Sequence, residues 1–198
     1  MKANQAAFEC GQLAERMCRG YYSHAAAVEL VRNPRSVALS PPVLPGYVVP
    51  VGFVKRKDGT ERAFHYIHFL EQARTDPTLT EDLERVWLTG SLLAVGDAAS
   101  RSGYFDRAPE LELLRHVRNG VAHGNRFNIT NPNSLTSYPA HNRLAWIKGD
   151  KRSIFEIVPT LDGQPVLFDF MGPGDVLDLL DSVGVYLIRI GNGDPLRP

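Results

Sequence analysis

At 198 residues the chain is long enough to bury a real hydrophobic core and is expected to form one domain over 1–198. Hydrophobic residues make up 43% and charged residues 22%, the ordinary mixture of a soluble globular protein. Lys+Arg and Asp+Glu both number 22, so no global field draws in nucleic acid, and polyanion binding would need a local basic patch.

From Asn4 to Arg32 the apolar positions Cys10, Ala14, Met17, Tyr21, Ala25 and Val28 recur at three- and four-residue steps. They predict one long helix with Asn4 as its cap, stopped by Asn33-Pro34. Cys10 and Cys18 then lie on one helix face, too far apart for a disulfide, with no zinc-type spacing. Both are expected to be buried thiols in a reducing compartment. The opening "MKANQAAFECGQLAERM" carries charges where a signal peptide needs an apolar stretch. No run approaches the ~18 apolar residues of a membrane span, so a cytoplasmic protein with no membrane partner is expected.

The prolines of 34–50 deny that region a regular helix, leaving an extended loop with a short edge strand near 47–54. After a "KDG" turn, "TERAFHYIHFLEQAR" reads as a second helix with Ala63, Ile67, Leu70 and Ala73 on one side. Thr80 reads as the cap of a third, carried by Leu83, Val86, Trp87, Leu93 and Ala98. Pro109 suits the first turn of a fourth helix, which ends by Gly124. The stretch 125–141 is rich in Asn, Ser, Thr and Pro and reads as an irregular loop. Beyond it "RLAWI", "SIFEIV" and "PVLFDF" predict a three-stranded antiparallel meander over 143–170. "MGPG" breaks the chain, and Val176, Leu180, Val183, Leu187 and Ile190 form the stripe of a last helix, closed by Gly191. The fold class is therefore mainly α, a helical bundle with a small β-meander inserted before its last helix.

The fourth helix carries the chemistry, in "LELLRHVRNGVAHGNRF". At ~100° per residue, with Arg115 at zero, Arg118 falls at about −60°, Ala122 at about −20°, Asn119 at about +40° and His123 at about +80°. Leu113, Leu114, Val117 and Val121 fall on the opposite, core-bound side. A histidine can take or give a proton near neutrality, and an arginine fork binds phosphate oxygens and offsets developing charge. Asn119, four residues before His123, is placed to orient the ring or a substrate. Imidazole plus guanidinium points to phosphodiester chemistry without a metal, for which RNA supplies its own 2′-OH nucleophile. Spacing alone favours a solvated polar face.

"RNGVAH", residues 118–123, resembles the R-x(4–6)-H motif of the HEPN superfamily (higher eukaryotes and prokaryotes nucleotide-binding domains), including the polar residue after Arg and the "HG" that commonly follows. The resemblance covers six residues, in the expected place late in a helix of an all-α bundle, with the meander as an elaboration. It implies a metal-independent endoribonuclease without cofactor, often a toxin or phage-defence effector. It also implies a homodimer whose two motif helices flank one cleft, RNA as substrate and an antitoxin protein as partner. In it His123 is the general acid/base, Arg118 steadies the phosphate and Asn119 positions one or both. Arg115 lies outside the motif and is added as an RNA-phosphate contact. HEPN toxins silenced by a nucleotidyltransferase antitoxin often carry a tyrosine two residues after the histidine, where this chain has Asn125, which argues against control by tyrosine AMPylation. The competing readings are a non-catalytic HEPN module binding nucleotide, RNA or a partner protein through the same face, and a scaffold whose arc caps a dimer interface.

Other candidates read as structural. His65 and His68 share a helix face without an acidic or cysteine partner, His116 is a neighbour of the arc, and His24 and His141 carry no partner signal. "VKRKDG" reads first as a solvated basic turn and second as an RNA contact, and "GPGD" as a helix start.

Overall fold

Asn4 accepts the Ala7 N–H at its Oδ1, 3.2 Å away, and so starts α1 (Gln5–Arg32) as expected of a short polar cap. The structure, a computed structural model, describes residues 4–129, 131, 135, 145–147 and 153–194. It is mainly helical, with α2 (Tyr66–Thr75), α3 (Pro77–Arg101), α4 (Pro109–Ala122) and α5 (Pro173–Asn192). Among the described residues two small antiparallel sheets accompany the helices, β1 (Val51–Lys55) with β2 (Glu61–His65) and β3 (Ala145–Ile147) with β4 (Ser153–Phe155). Among the described residues no helix is long and apolar enough to cross a membrane. The chain divides into two compact units, Met1–Gly20 with Val86–Pro198, and Tyr21–Arg85.

The larger unit holds the core. Leu88, Leu92, Val95 and Ala99 recur at helical steps along α3, and each is fully buried. The expected stripe of α5 is buried at every position, as are Leu113, Leu114, Val117 and Val121 of α4. Cys10 and Cys18 are free and buried. A Cβ at Gly11 would stand 2.8 Å from the Gly184 carbonyl oxygen, so the backbones of α1 and α5 meet directly there. The start of α5 is as read from "GPGD": the Gly172 N–H donates to Asp175 Oδ2 at 2.9 Å.

In the smaller unit β1 and β2 form a hairpin in register Val51↔His65, Phe53↔Ala63, Lys55↔Glu61, with the Phe64 ring lying over Gly52. Among its described residues only Thr80 is buried.

Several expectations are corrected. "ERAFH" pairs as a strand against β1, so the second helix begins only at Tyr66, where His65 Nδ1 accepts the His68 N–H at 3.0 Å. His65 is thus a cap rather than half of a helical histidine pair. The third helix starts at Pro77, because Asp76 rather than Thr80 accepts its first free N–H groups, from Thr78 at 3.0 Å and Leu79 at 3.4 Å. Its inner face is also rotated from the expected one, since Leu83 and Val86 are exposed. The last helix runs past Gly191, which is buried against Phe8, and ends on the left-handed Gly193 at φ 76°. "PVLFDF" is not a third strand. Phe168 has φ 76°, and the chain turns back so that Phe168 N–H donates to Met171 O and Met171 N–H to Val166 O. A left-handed residue cannot continue an extended ladder. Of the loop 125–141, residues 130, 132–134 and 136–141, His141 among them, lie outside the described residues.

Candidate functional site

Pro109 opens α4, and a short apolar run buries Leu111, Leu113 and Leu114 before the polar residues begin. The helix ends at His123, whose backbone N–H donates to the carbonyls of Asn119 at 3.1 Å and Gly120 at 3.2 Å. The turn then closes on two left-handed residues, Gly124 at φ 85° and Asn125 at φ 62°. Asn125 fastens this turn to the segment before α5. Its Oδ1 accepts the Leu167 N–H at 2.8 Å and its amide donates to Leu167 O at 3.2 Å. Asn125 is therefore a structural clasp. Gly120 serves the same contact, since a Cβ there would stand 2.5 Å from Val166 Cγ2.

Arg118 and Asn119 are brought together. The Arg118 Nη1 donates to Asn119 Oδ1 at 3.0 Å, while its Nε donates to Asp97 Oδ1 at 2.8 Å and Nη2 to the same oxygen. Asp97 lies on α3, and Gly96 beside it makes room for the Arg118 stem: a Cβ on Gly96 would stand 2.6 Å from Arg118 Cγ. His123 is exposed at the helix end, and among the described residues its ring makes no hydrogen bond. It is open to a ligand rather than pre-paired with Arg118 or Asn119.

Arg115 does not join this group. Its Nε donates to Glu112 Oε1 at 2.8 Å, its Nη2 to the same oxygen, and Nη2 lies 2.9 Å from His116 Nε2. The Glu112 side chain is 1% exposed, and its Oε2 is buried without a hydrogen-bond partner among the described residues. Burial works to raise its pKa, but the hydrogen bonds from His116 and Arg115 outweigh it and hold the carboxyl below the ordinary glutamate value. The polar arc is thus two clusters, Asp97–Arg118–Asn119 and Glu112–Arg115–His116. A cavity of about 210 Å³ opens beside the second, lined by Arg115, His116, Asn119, Phe127, Asn128, Ile129, Asn131 and Leu135.

Asp97 and Glu112 were not among the candidates read from the sequence. Glu112 had a signal: a carboxylate inside the apolar run "LELL", three and four residues before Arg115 and His116. Asp97 had none, since its partner is 21 residues away on another helix. Among the described residues no group of three or more His, Cys, Asp or Glu is placed to hold a metal ion. No protein-family model matches the chain, and no curated protein or solved structure matches it significantly.

Proposed function

We propose that the chain is a metal-independent endoribonuclease of HEPN type, acting in the cytoplasm as a toxin or phage-defence effector. The observation that carries this reading is the Arg118–Asn119 pair on the last turns of α4, with His123 exposed at the helix end. Neutral His123 takes the proton of an RNA 2′-OH, and the freed oxygen attacks the adjacent phosphorus. Arg118 offsets the charge that develops on the phosphoryl oxygens. A 2′,3′-cyclic phosphate forms, and the bond to the 5′-oxygen breaks as that oxygen takes a proton from the protonated His123 of a second copy. An isologous homodimer with both α4 ends at one cleft supplies that second histidine and concentrates cationic groups in a chain of zero net charge. An antitoxin protein then acts by covering the cleft. Arg115, tied to Glu112, has a weaker claim as a phosphate contact.

The test is incubation of wild type, His123→Ala and Arg118→Ala with structured and single-stranded RNA in EDTA. Cyclic-phosphate ends from wild type, with loss in both variants, support the reading; equal cleavage by all three, or none by wild type, ends it. One observation favours the second reading, a non-catalytic module that binds nucleotide, RNA or a partner protein. Asp97 already offsets the Arg118 charge that catalysis would use. A wild type that is harmless on expression and binds RNA without cutting it would select that reading.

A further inference from the structure

The cavity beside α4 combines two kinds of wall. Phe127, Ile129 and Leu135 give it an apolar side, and Asn119, Asn128 and Asn131 give it amides that both donate and accept. Among the described residues that line it the formal cation, Arg115, is matched by the buried Glu112, so these residues offer no uncompensated charge to an anion. At about 210 Å³ it falls below the roughly 300–1,000 Å³ of sites for drug-sized ligands. A single flat ring system with a hydrogen-bonding edge fits these walls; a phosphate, which needs a free cation, does not. Asn119 borders both this cavity and the motif cluster. Its Oδ1 accepts from Arg118, and its amide nitrogen makes no hydrogen bond among the described residues.

We infer that this cavity receives one unstacked nucleobase, held by Asn119, Asn128 and Asn131. That the base belongs to RNA being cut rests on the ribonuclease reading; that the cavity takes a base does not. RNA recognition by splayed single bases uses this combination of apolar contact and hydrogen bonds to the base edge. Selection among bases then comes from the amide rim, because a site built of hydrogen-bonding groups rejects a ligand that leaves them unpaired.

The experiment is calorimetric titration of the full chain, carrying His123→Ala to stop cleavage, with AMP, GMP, CMP and UMP and with homopolymeric hexaribonucleotides. Asn128→Ala and Asn131→Ala, both at exposed positions, are added singly. The expected result is preference for one base, weakened roughly tenfold by either substitution with the thermal melt unchanged. Tighter hexamer binding assigns the base to RNA, and equal binding of the mononucleotide assigns it to a free nucleotide. No binding, or binding that inorganic phosphate displaces equally and neither substitution weakens, overturns the inference. The two readings fail separately. Base binding without cleavage in EDTA leaves the cavity standing and removes the ribonuclease; cleavage without base binding does the reverse.

Discussion

Two donors of Arg118, Nε and Nη2, close on one oxygen of Asp97, leaving Nη1 for Asn119. The pair is partly exposed, so it contributes at most about 1 kcal/mol to stability. Its consequence is orientation: it fixes which edge of the guanidinium remains for a ligand.

Asp97→Asn is expected to lower RNA cleavage about tenfold while moving the melting temperature by less than about 4 °C. Asparagine keeps the shape but loses the charge-assisted bonds. Equal losses of activity and stability would make Asp97 merely structural.

Gly96→Ala tests the same geometry from the other side. Alanine is the better helix former by about 1 kcal/mol, so helix propensity alone predicts a more stable protein. The new Cβ, however, would stand 2.6 Å from Arg118 Cγ and must displace that side chain. Cleavage is expected to fall tenfold or more with little loss of stability, since misplacement by about 1 Å can cost about 100-fold. Unchanged kinetics would show that the position of Arg118 does not matter.

The long helices were legible because their apolar positions repeat every three or four residues, and the stripe of α5 was read correctly at each of its five positions. The boundaries that failed were decided by a pairing strand, by a different cap residue or by a single backbone angle. Glu61–His65 became a strand because β1 was there to pair with it, and "PVLFDF" was lost as a strand because Phe168 turned left-handed. The candidate site divides in the same way. Arg118, Asn119 and Glu112–Arg115–His116 are local to one helix and readable from spacing, whereas Asp97 needed the packing of α3 against α4.

Asn125 replaces a strand-like pair of backbone bonds with its own side chain, at a φ of 62° that asparagine tolerates better than most residues. Asn125→Ala loses both bonds to Leu167 and keeps the strained backbone. A destabilisation of about 1–3 kcal/mol is expected in urea unfolding. Asn125→Gly, which relaxes the backbone and still lacks the amide, should recover only part of it. Full recovery by glycine would assign the whole effect to the backbone.

The cysteines give a test of the larger unit's core. Burial pushes the Cys10 thiol up to about 11, partly countered by Arg101; burial, with Asp181, Asp178 and Glu15, pushes Cys18 up to about 11 as well. Both should react with a thiol reagent at pH 8 far more slowly than a free thiol, and at full rate in denaturant. Rapid reaction of either in the native protein would contradict its packing against Val95 O or Leu177 O.

Acid should weaken the fold through Glu112. Its folded-state pKa is depressed, so its contribution is complete above the ordinary glutamate value and is lost as pH falls through the folded one. Glu110 has the opposite sign: burial raises its pKa, so its contribution is present at low pH and lost as pH rises. A single pH profile therefore mixes the two, and the informative quantity is the difference between wild type and Glu112→Gln. That substitution should cost about 1–3 kcal/mol at pH 7, where Arg115 and His116 lose their anionic partner. The gap should narrow as pH falls below the ordinary glutamate range, where wild type begins to protonate the same carboxyl. Urea unfolding of both proteins from pH 7 to pH 3 measures it, and a gap that stays constant to the lowest pH would show that Glu112 is held by packing rather than by its charge.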